Sequence, residues 1–289
     1  MSHRLGSWAP PDDADTALAL RGVHAGYPGA PTVLDCVDVT IGIGRRTAIL
    51  GANGSGKTTL LRVLSGAHPP AEGVVVSGGH PLRHNRRGLT EHRQRVQLVT
   101  QDPDDQLFSA DVRADVGYGP SNLGLPPERV RARVEEALEV LSVADLADRP
   151  VHRLSFGQRK RVAVAGALAM HPQVLLLDEP TAGLDPSGVE EMLTAVAALE
   201  AHGTTVVLST HDVDLAWRWA HEIAVVVDSV VHQGSVRDAR SDLDLLASAR
   251  LRPPWSIDLL ARLGLDPAEV GWPRTPDEVA RALAVSARH

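Results

Sequence analysis

The stretch Gly51-Ala52-Asn53-Gly54-Ser55-Gly56-Lys57-Thr58-Thr59 constrains this chain more than any other. It fits G-x-x-x-x-G-K-[ST], a loop whose backbone N–H groups wrap a polyphosphate. The run before it, Arg46 to Leu50, reads as a short strand, and the run after it, Leu60 to Ser65, reads as a helix. Glycines let the backbone turn tightly and approach phosphate oxygens with no side chain in the way. The helix that starts near Gly56 adds its positive dipole end and its unpaired N–H groups. On this reading Lys57 reaches the β- and γ-phosphates and the Thr58 hydroxyl binds Mg²⁺. A glycine-rich turn with a chance lysine would not need strand, loop and helix in this order. The sequence therefore predicts a nucleoside triphosphate site.

Composition narrows the setting. Hydrophobic residues make up 43% of the chain, enough for a packed core and too few for an integral membrane protein. Its longest apolar runs, such as Val162 to Met170, fall far short of the ~18 residues of a membrane span. The N-terminus lacks the apolar core of a signal peptide, and residues 1–15 read as a flexible leader. A single cysteine, Cys36, excludes an intramolecular disulfide and suits a reducing cytoplasm. The net charge of −7 argues against a general nucleic-acid coat, and no nucleic-acid partner is expected.

Strands are predicted over Ala17 to Ala25 and Val33 to Val39, on either side of a turn at Tyr27 to Pro31. An adenine could stack on Tyr27, although local sequence alone favours an ordinary turn tyrosine. Gly73 to Val76 is strand-like. His80 to Arg95 is rich in His and Arg, with no cysteine, no interleaved aromatics and Glu91 as its one carboxylate. It reads as a solvated, charged helix or loop rather than as a metal site or nucleic-acid patch. Val96 to Thr100 forms a strand that ends at Gln101. Ser109 to Gly117 and Pro127 to Leu141 read as helices of a small insert, with Val130, Val134, Leu138 and Leu141 on one face.

Leu154-Ser155-Phe156-Gly157-Gln158 opens another helix, with Ser155 as N-cap and Arg159, Lys160 and Arg161 in its first turn. Cations there oppose the helix dipole. Two readings stay open: an anion site, or a capped surface helix whose basic side chains face water. Val174 to Leu177 is a continuous apolar run, as in a parallel strand buried on both faces. It ends in Asp178-Glu179, two carboxylates that suit Mg²⁺ and a general base, or a solvated pair where a strand meets its loop. Pro186 suits the first turn of the next helix. Thr204 to Ser209 is a strand followed by Thr210 and His211, and Ile223 to Val227 is the last clear core strand. Beyond about Gln233 short helices are expected at 242–249 and 256–263, with a capping box at Thr275 to Glu278.

Strand, loop and helix, then a long insert, then a strand ending in Asp-Glu indicate a P-loop α/β ATPase. With Leu154 to Gln158 added, the chain resembles the ATP-binding cassette family over about residues 17 to 232. The resemblance implies a RecA-like parallel sheet core with an antiparallel β subdomain, a helical signature subdomain and a C-terminal helical appendage. The implied boundaries are 16–235 for the nucleotide-binding domain, about 102–160 for its helical subdomain and 236–289 for the appendage. By resemblance, ATP is held by Tyr27 and by Gly51, Ala52, Asn53, Gly54, Ser55, Gly56, Lys57, Thr58 and Thr59. Thr58, Gln101 and Asp178 would hold Mg²⁺. Glu179 would act as general base, with His211, Gln101 and Lys57 completing the catalytic set. The signature residues Leu154, Ser155, Phe156, Gly157 and Gln158 would meet the ATP of a second ATPase subunit, with Asp185 in the dimer loop. Phe156 departs from the glycine common in the family, which implies altered contact geometry near the γ-phosphate.

A narrower likeness rests on Gln101 to Phe108, Gly119 to Leu125 and Leu251-Arg252-Pro253-Pro254. These resemble the ATPase subunits of energy-coupling-factor importers, especially the cobalt-transport type. The likeness implies a homo- or heterodimer on the cytoplasmic face of the membrane, driving uptake of cobalt or a related micronutrient. Partners would be a transmembrane coupling protein and a substrate-binding membrane subunit. The tail would hold two ATPase subunits together and the insert would grip coupling helices. Soluble cassette machines for DNA repair or ribosome work usually carry two cassettes or a long coiled-coil insertion, and this chain has neither. A small-molecule P-loop kinase has no use for the signature segment or the Asp185 loop.

Overall fold

The computed structural model describes residues 15–236 and 242–286, so the expected leader lies outside the described residues except for Asp15. The strands are β1 (Thr16–Gly26), β2 (Thr32–Gly42), β3 (Thr47–Leu50), β4 (Glu72–Ser77), β5 (His80–Pro81), β6 (Val96–Val99), β7 (Val174–Asp178), β8 (Thr205–Thr210), β9 (Glu222–Val227) and β10 (Val230–Ser235). The helices are α1 (Lys57–Leu64), α2 (Arg86–Arg95), α3 (Val112–Asn122), α4 (Pro127–Val140), α5 (Phe156–Leu168), α6 (Pro186–Ala201) and α7 (Val213–Trp219). The tail adds α8 (Leu243–Ser248), α9 (Trp255–Arg262) and α10 (Pro276–Ser286).

Every residue of β3, β7, β8 and β9 is buried. Strands without a polar face need cover on both sides, which is the condition of a parallel sheet. They lie in a six-stranded sheet of order β10-β9-β3-β8-β7-β6, parallel from β9 to β6. Side chains alternate between its faces. Ala48, Leu50, Leu175, Leu177, Val206 and Leu208 enter one hydrophobic cluster with residues of α3 to α7. Ile49, Val174, Leu176, Val207, Ala224 and Val226 enter another with α1 and the second sheet. That second sheet is antiparallel, in the order β2-β1-β4-β5. The parallel core with an antiparallel β subdomain is therefore the architecture implied by the sequence. Because β3, β6, β7 and β8 run the same way, the residues that follow them emerge at one edge of the sheet.

Three local differences have physical reasons. Helix α3 starts at Val112 rather than Ser109, because the Asp111 carboxylate caps it by accepting the Ala114 N–H at 2.8 Å. It also continues through Pro120 to Asn122. Strand β10 was not expected from the sequence. It folds back on β9 through Asp228 and Ser229, whose φ angles are 48° and 65°. A two-residue hairpin turn needs positive φ at both positions, and Asp-Ser lacks the glycine that announces it. In the segment 80–95, most side chains are exposed as expected, but His92 is only 3% exposed.

The tail is seated on the body. Leu245, Leu246, Ala249, Leu251 and Ile257 join the cluster that contains Ile223 and Val225 of β9. The Trp255 N–H donates to the Asp214 carboxylate at 2.8 Å.

His92 generates a test of this packing. Its Nε2 lies 2.9 Å from the Leu64 carbonyl oxygen, and burial pulls its pKa below the ordinary imidazole range. The folded chain then holds a neutral ring, while the unfolded chain takes up a proton near pH ~6.5. The contribution of this ring to stability is present above that pH and is lost as pH falls. The urea midpoint should therefore drop between pH 7.5 and 5.5 more steeply in the natural chain than in H92L. Equal slopes would show that His92 does not titrate with unfolding.

Candidate functional site

The phosphate loop leaves the end of β3. A side chain at position 51 would collide with Ser55 and come within 2.9 Å of the Val226 carbonyl oxygen. Gly56 has φ of 110°, and a Cβ there would lie 2.9 Å from Val33 Cγ1. Glycine is required at both positions, by space at the first and by space and conformation at the second. Helix α1 begins immediately with Lys57 and aims its first N–H groups at the loop.

Lys57 is 6% exposed. Its ammonium donates to the carbonyl oxygens of Gly51 at 2.7 Å and Ala52 at 3.2 Å, and lies 3.3 Å from Glu179 Oε1. The Thr58 hydroxyl donates to Asp178 Oδ2 at 2.7 Å. Ser209 donates to Asp178 Oδ1 at 2.5 Å, and its hydroxyl oxygen accepts the Glu179 N–H at 3.0 Å. His211 Nδ1 is 3.1 Å from each carboxylate oxygen of Glu179. Gln101 joins Lys57, Thr58, Asp178 and Glu179 in lining a cleft of about 420 Å³.

Tyr27 stands at the same cleft. Its hydroxyl is 3.4 Å from the Thr59 hydroxyl and accepts from Arg62 at 3.3 Å, and its ring is 38% exposed. The hydrogen bond with Thr59 is the main cause that lowers its pKa, with Arg62 adding to it against burial.

Thr58 hydroxyl, Asp178 carboxylate and Gln101 amide form a hard oxygen donor set. Such a set fits Mg²⁺ that completes its shell with phosphate oxygens and water. Among the described residues no group of three or more His, Cys, Asp or Glu side chains could hold a metal by itself.

The signature segment lies outside this cleft. Ser155 and Gln158 form a reciprocal capping box: the Gln158 N–H donates to Ser155 Oγ at 3.2 Å and the Ser155 N–H to Gln158 Oε1 at 2.9 Å. Leu154 is buried. Phe156 packs against the loop that precedes α6, where a Cβ on Gly183 would be 3.1 Å from its ring. Asp185 caps α6, its Oδ1 accepting the Gly188 N–H at 2.7 Å.

Here the structure corrects one of the two readings, that the basic triplet is solvated. Arg159, Lys160 and Arg161 do not simply face open water, because their long side chains reach partners well beyond the helix start. Arg159 donates to the Leu154 carbonyl at 2.8 Å and pairs with Asp104 at 2.9 Å. Arg161 pairs with Glu191 at 3.0 Å. Lys160 is 4% exposed and donates to the carbonyl oxygens of Glu179 at 2.8 Å and Pro180 at 3.2 Å. Burial pulls its pKa down to about 8, against the opposing charges of Glu179, Asp102 and Asp178.

Two residues at this site were given no role from the sequence. Lys160 was indistinguishable from its arginine neighbours. Ser209 was a strand residue, fully buried and in register with Asp178. The available signal was a hydroxyl in a strand with no solvent face, which needs a buried polar partner.

A phosphate loop, a buried Asp-Glu pair and a histidine at adjacent parallel strand ends define a P-loop ATPase. The ABC transporter family model matches residues 34–182. The cobalt import ATP-binding protein CbiO of Rhodobacter capsulatus is 49% identical over 271 residues, 92% of this chain and 97% of that protein. The energy-coupling factor transporter ATP-binding protein EcfA of Methanocaldococcus jannaschii is 40% identical over 268 residues, 92% of this chain and 96% of its own length. The solved structure of cbiO1 from Clostridium perfringens, part of the ABC transporter complex cbiONQ, superposes with a TM-score of 0.74 at 37% identity, covering 86% of this chain and 98% of that one. The chain belongs to the ABC transporter family, as an ATP-binding subunit.

Ser209 provides the test of the buried network. Removing a group that orients a metal-binding carboxylate typically weakens metal use by about 10–100-fold. In S209A the Mg²⁺ concentration for half-maximal ATP turnover should rise by about tenfold or more. An unchanged Mg²⁺ requirement would show that Asp178 is held without Ser209.

Proposed function

We propose that this chain is the ATP-hydrolysing subunit of an importer of the energy-coupling-factor type, acting at the cytoplasmic face of a membrane. The observation that carries this reading is the meeting of Lys57, Thr58, Asp178 and Glu179 in one cleft, with His211 bonded to Glu179 and with Ser155 and Gly157 placed outside it. A second ATPase subunit, set head to tail, would bring its own Ser155 and Gly157 to that cleft. No helix among the described residues is long and apolar enough to cross a membrane, so the reading needs membrane-embedded partners.

The loop amides and Lys57 bind the β- and γ-phosphates. An arriving phosphate competes with Glu179 for the lysine ammonium, which frees that carboxylate to face a water molecule. Glu179 takes the proton of the water as general base, and His211 orients it. Thr58, Gln101 and Asp178 would hold Mg²⁺, which when bound offsets the phosphate charge. Tyr27 stacks on the adenine. Two subunits closing on ATP and parting after hydrolysis form the working stroke.

The insert supports a membrane partner. Phe108 and Tyr118 are 66% and 51% exposed and meet edge to face at 4.7 Å. Phe108 lies on the loop that runs from Gln101, and Asp115 fixes that loop by accepting the N–H groups of Phe108 and Ser109 at 2.9 and 2.8 Å. A helix from a transmembrane coupling protein that docks on this aromatic pair would be linked to the cleft through Gln101. Cobalt or a related micronutrient, bound by a separate membrane subunit, is the cargo favoured by the name of the Rhodobacter relative.

Glu179→Gln should still bind ATP while turnover falls by about 10²–10⁴-fold. It should accumulate as dimers in chromatography with ATP, whereas Lys57→Ala should neither turn over nor dimerise. A purely monomeric E179Q would sink the head-to-tail arrangement. Affinity purification from detergent-solubilised membranes should recover the chain with integral membrane proteins; recovery with ribosomes or DNA instead would mark a soluble machine.

A further inference from the structure

We propose that Lys160, set beneath the ring of Phe156, is a positioning residue for Glu179, which it holds through the Glu179 and Pro180 carbonyl oxygens. It thereby ties each subunit's own general base to the helix start that meets the other subunit's nucleotide. This rests on the role given above to Glu179 and to the start of α5.

Lys160 is one of the few buried cations, at 4% exposure. Desolvating an ammonium is costly unless its protons are satisfied. Among the described residues no carboxylate pairs with it; its donors go to two consecutive main-chain carbonyls, at 2.8 and 3.2 Å. The Phe156 ring lies 5.3 Å from its Nζ, within reach of a cation–π contact. An exposed lysine rotamer would avoid the desolvation cost, so its burial calls for a specific structural reason.

The backbone it grips supplies that reason. Glu179 has φ of 46°, in the left-handed region that non-glycine residues seldom adopt. It also precedes Pro180, which steers the residue before it towards extended conformations. Such a conformation persists only where its surroundings over-determine it. The Ser209 hydroxyl accepts the N–H of Glu179, and Lys160 donates to its carbonyl oxygen. Held at both ends, the residue presents its carboxylate to Lys57 and His211. Rotating the Glu179–Pro180 peptide would swing that carboxylate away.

The other end of the clamp is the signature helix. Phe156 and Lys160 are four residues apart and share one face of α5. The Phe156 ring also fills the space beside Gly183 in the dimer loop. Any displacement of the start of α5 by a second subunit's nucleotide moves Phe156 and Lys160 together, and with them the Glu179–Pro180 peptide. The phenylalanine that departs from the family glycine thus acquires a function within its own subunit.

The test uses the full-length chain and steady-state ATPase kinetics. K160M should lower kcat at least tenfold, with KM and the affinity for a fluorescent ATP analogue within twofold of the natural chain. K160Q, which keeps two N–H donors, should recover most of the rate. F156A should lower kcat several-fold, and K160M/F156A should be no slower than K160M alone. Wild-type kcat in K160M, equal losses in kcat and nucleotide affinity, or K160Q no faster than K160M would each overturn the assignment. Should K160M fail to fold, full kcat in F156A overturns it. If E179Q itself hydrolyses ATP normally, the reading of the whole site fails; if E179Q is arrested while K160M is unaffected, only the Lys160 assignment fails.

Discussion

A buried ammonium 3.3 Å from a buried carboxylate organises this molecule. Lys57 and Glu179 are each about 5% exposed, and isolated charges at that depth would be strongly destabilising. They are tolerable because each is hydrogen-bonded as well as paired: the Lys57 ammonium to two loop carbonyls, the Glu179 carboxylate to His211 through both of its oxygens. The pair also brings together loops from β3 and β7, which are not neighbours in the sheet. Between them runs β8, which contributes Ser209 beneath the pair and His211 beside it. Strand order thus decides which groups share the site.

This explains what the sequence could convey. The phosphate loop was legible because its chemistry is local: glycines at fixed offsets, a strand before and a helix after. The buried strands were legible because four of them have no polar face. Their order was not, since a continuous apolar run says that a strand is central without naming its neighbours. The Thr58–Asp178–Ser209 chain depends on that order and appears only when β3, β8 and β7 lie side by side. The β10 hairpin was missed for a local reason, a turn without glycine, and the α3 boundary because the strongest cap, Asp111, sits inside the expected helix.

The basic triplet after the signature shows where residue-type reasoning stops. Three consecutive cations close to a helix start look alike in sequence and oppose the same dipole. In the fold they serve three elements: Arg159 reaches Asp104 in the loop after Gln101, Lys160 reaches Glu179 and Pro180, and Arg161 reaches Glu191 on α6. Helix α5 is therefore bound to the loop after Gln101, to the chain that leaves β7 and to α6. A rigid lever with three attachments can pass displacement between them, whereas a surface helix with solvated side chains could not.

The tail extends the same logic to the far side of the cleft. Read from sequence as an appendage, it buries Leu251 in the core and lays Arg250 to Pro253 beside Asn53 of the phosphate loop and His211, around a cavity of about 370 Å³. The Asp214–Trp255 hydrogen bond ties this wall to α7, the helix that follows His211. Burial raises the pKa of Asp214, while the Trp255 N–H works against that rise by stabilising the charged form. A segment that forms one wall of a cavity beside the histidine cannot move relative to the body without changing the surroundings of His211.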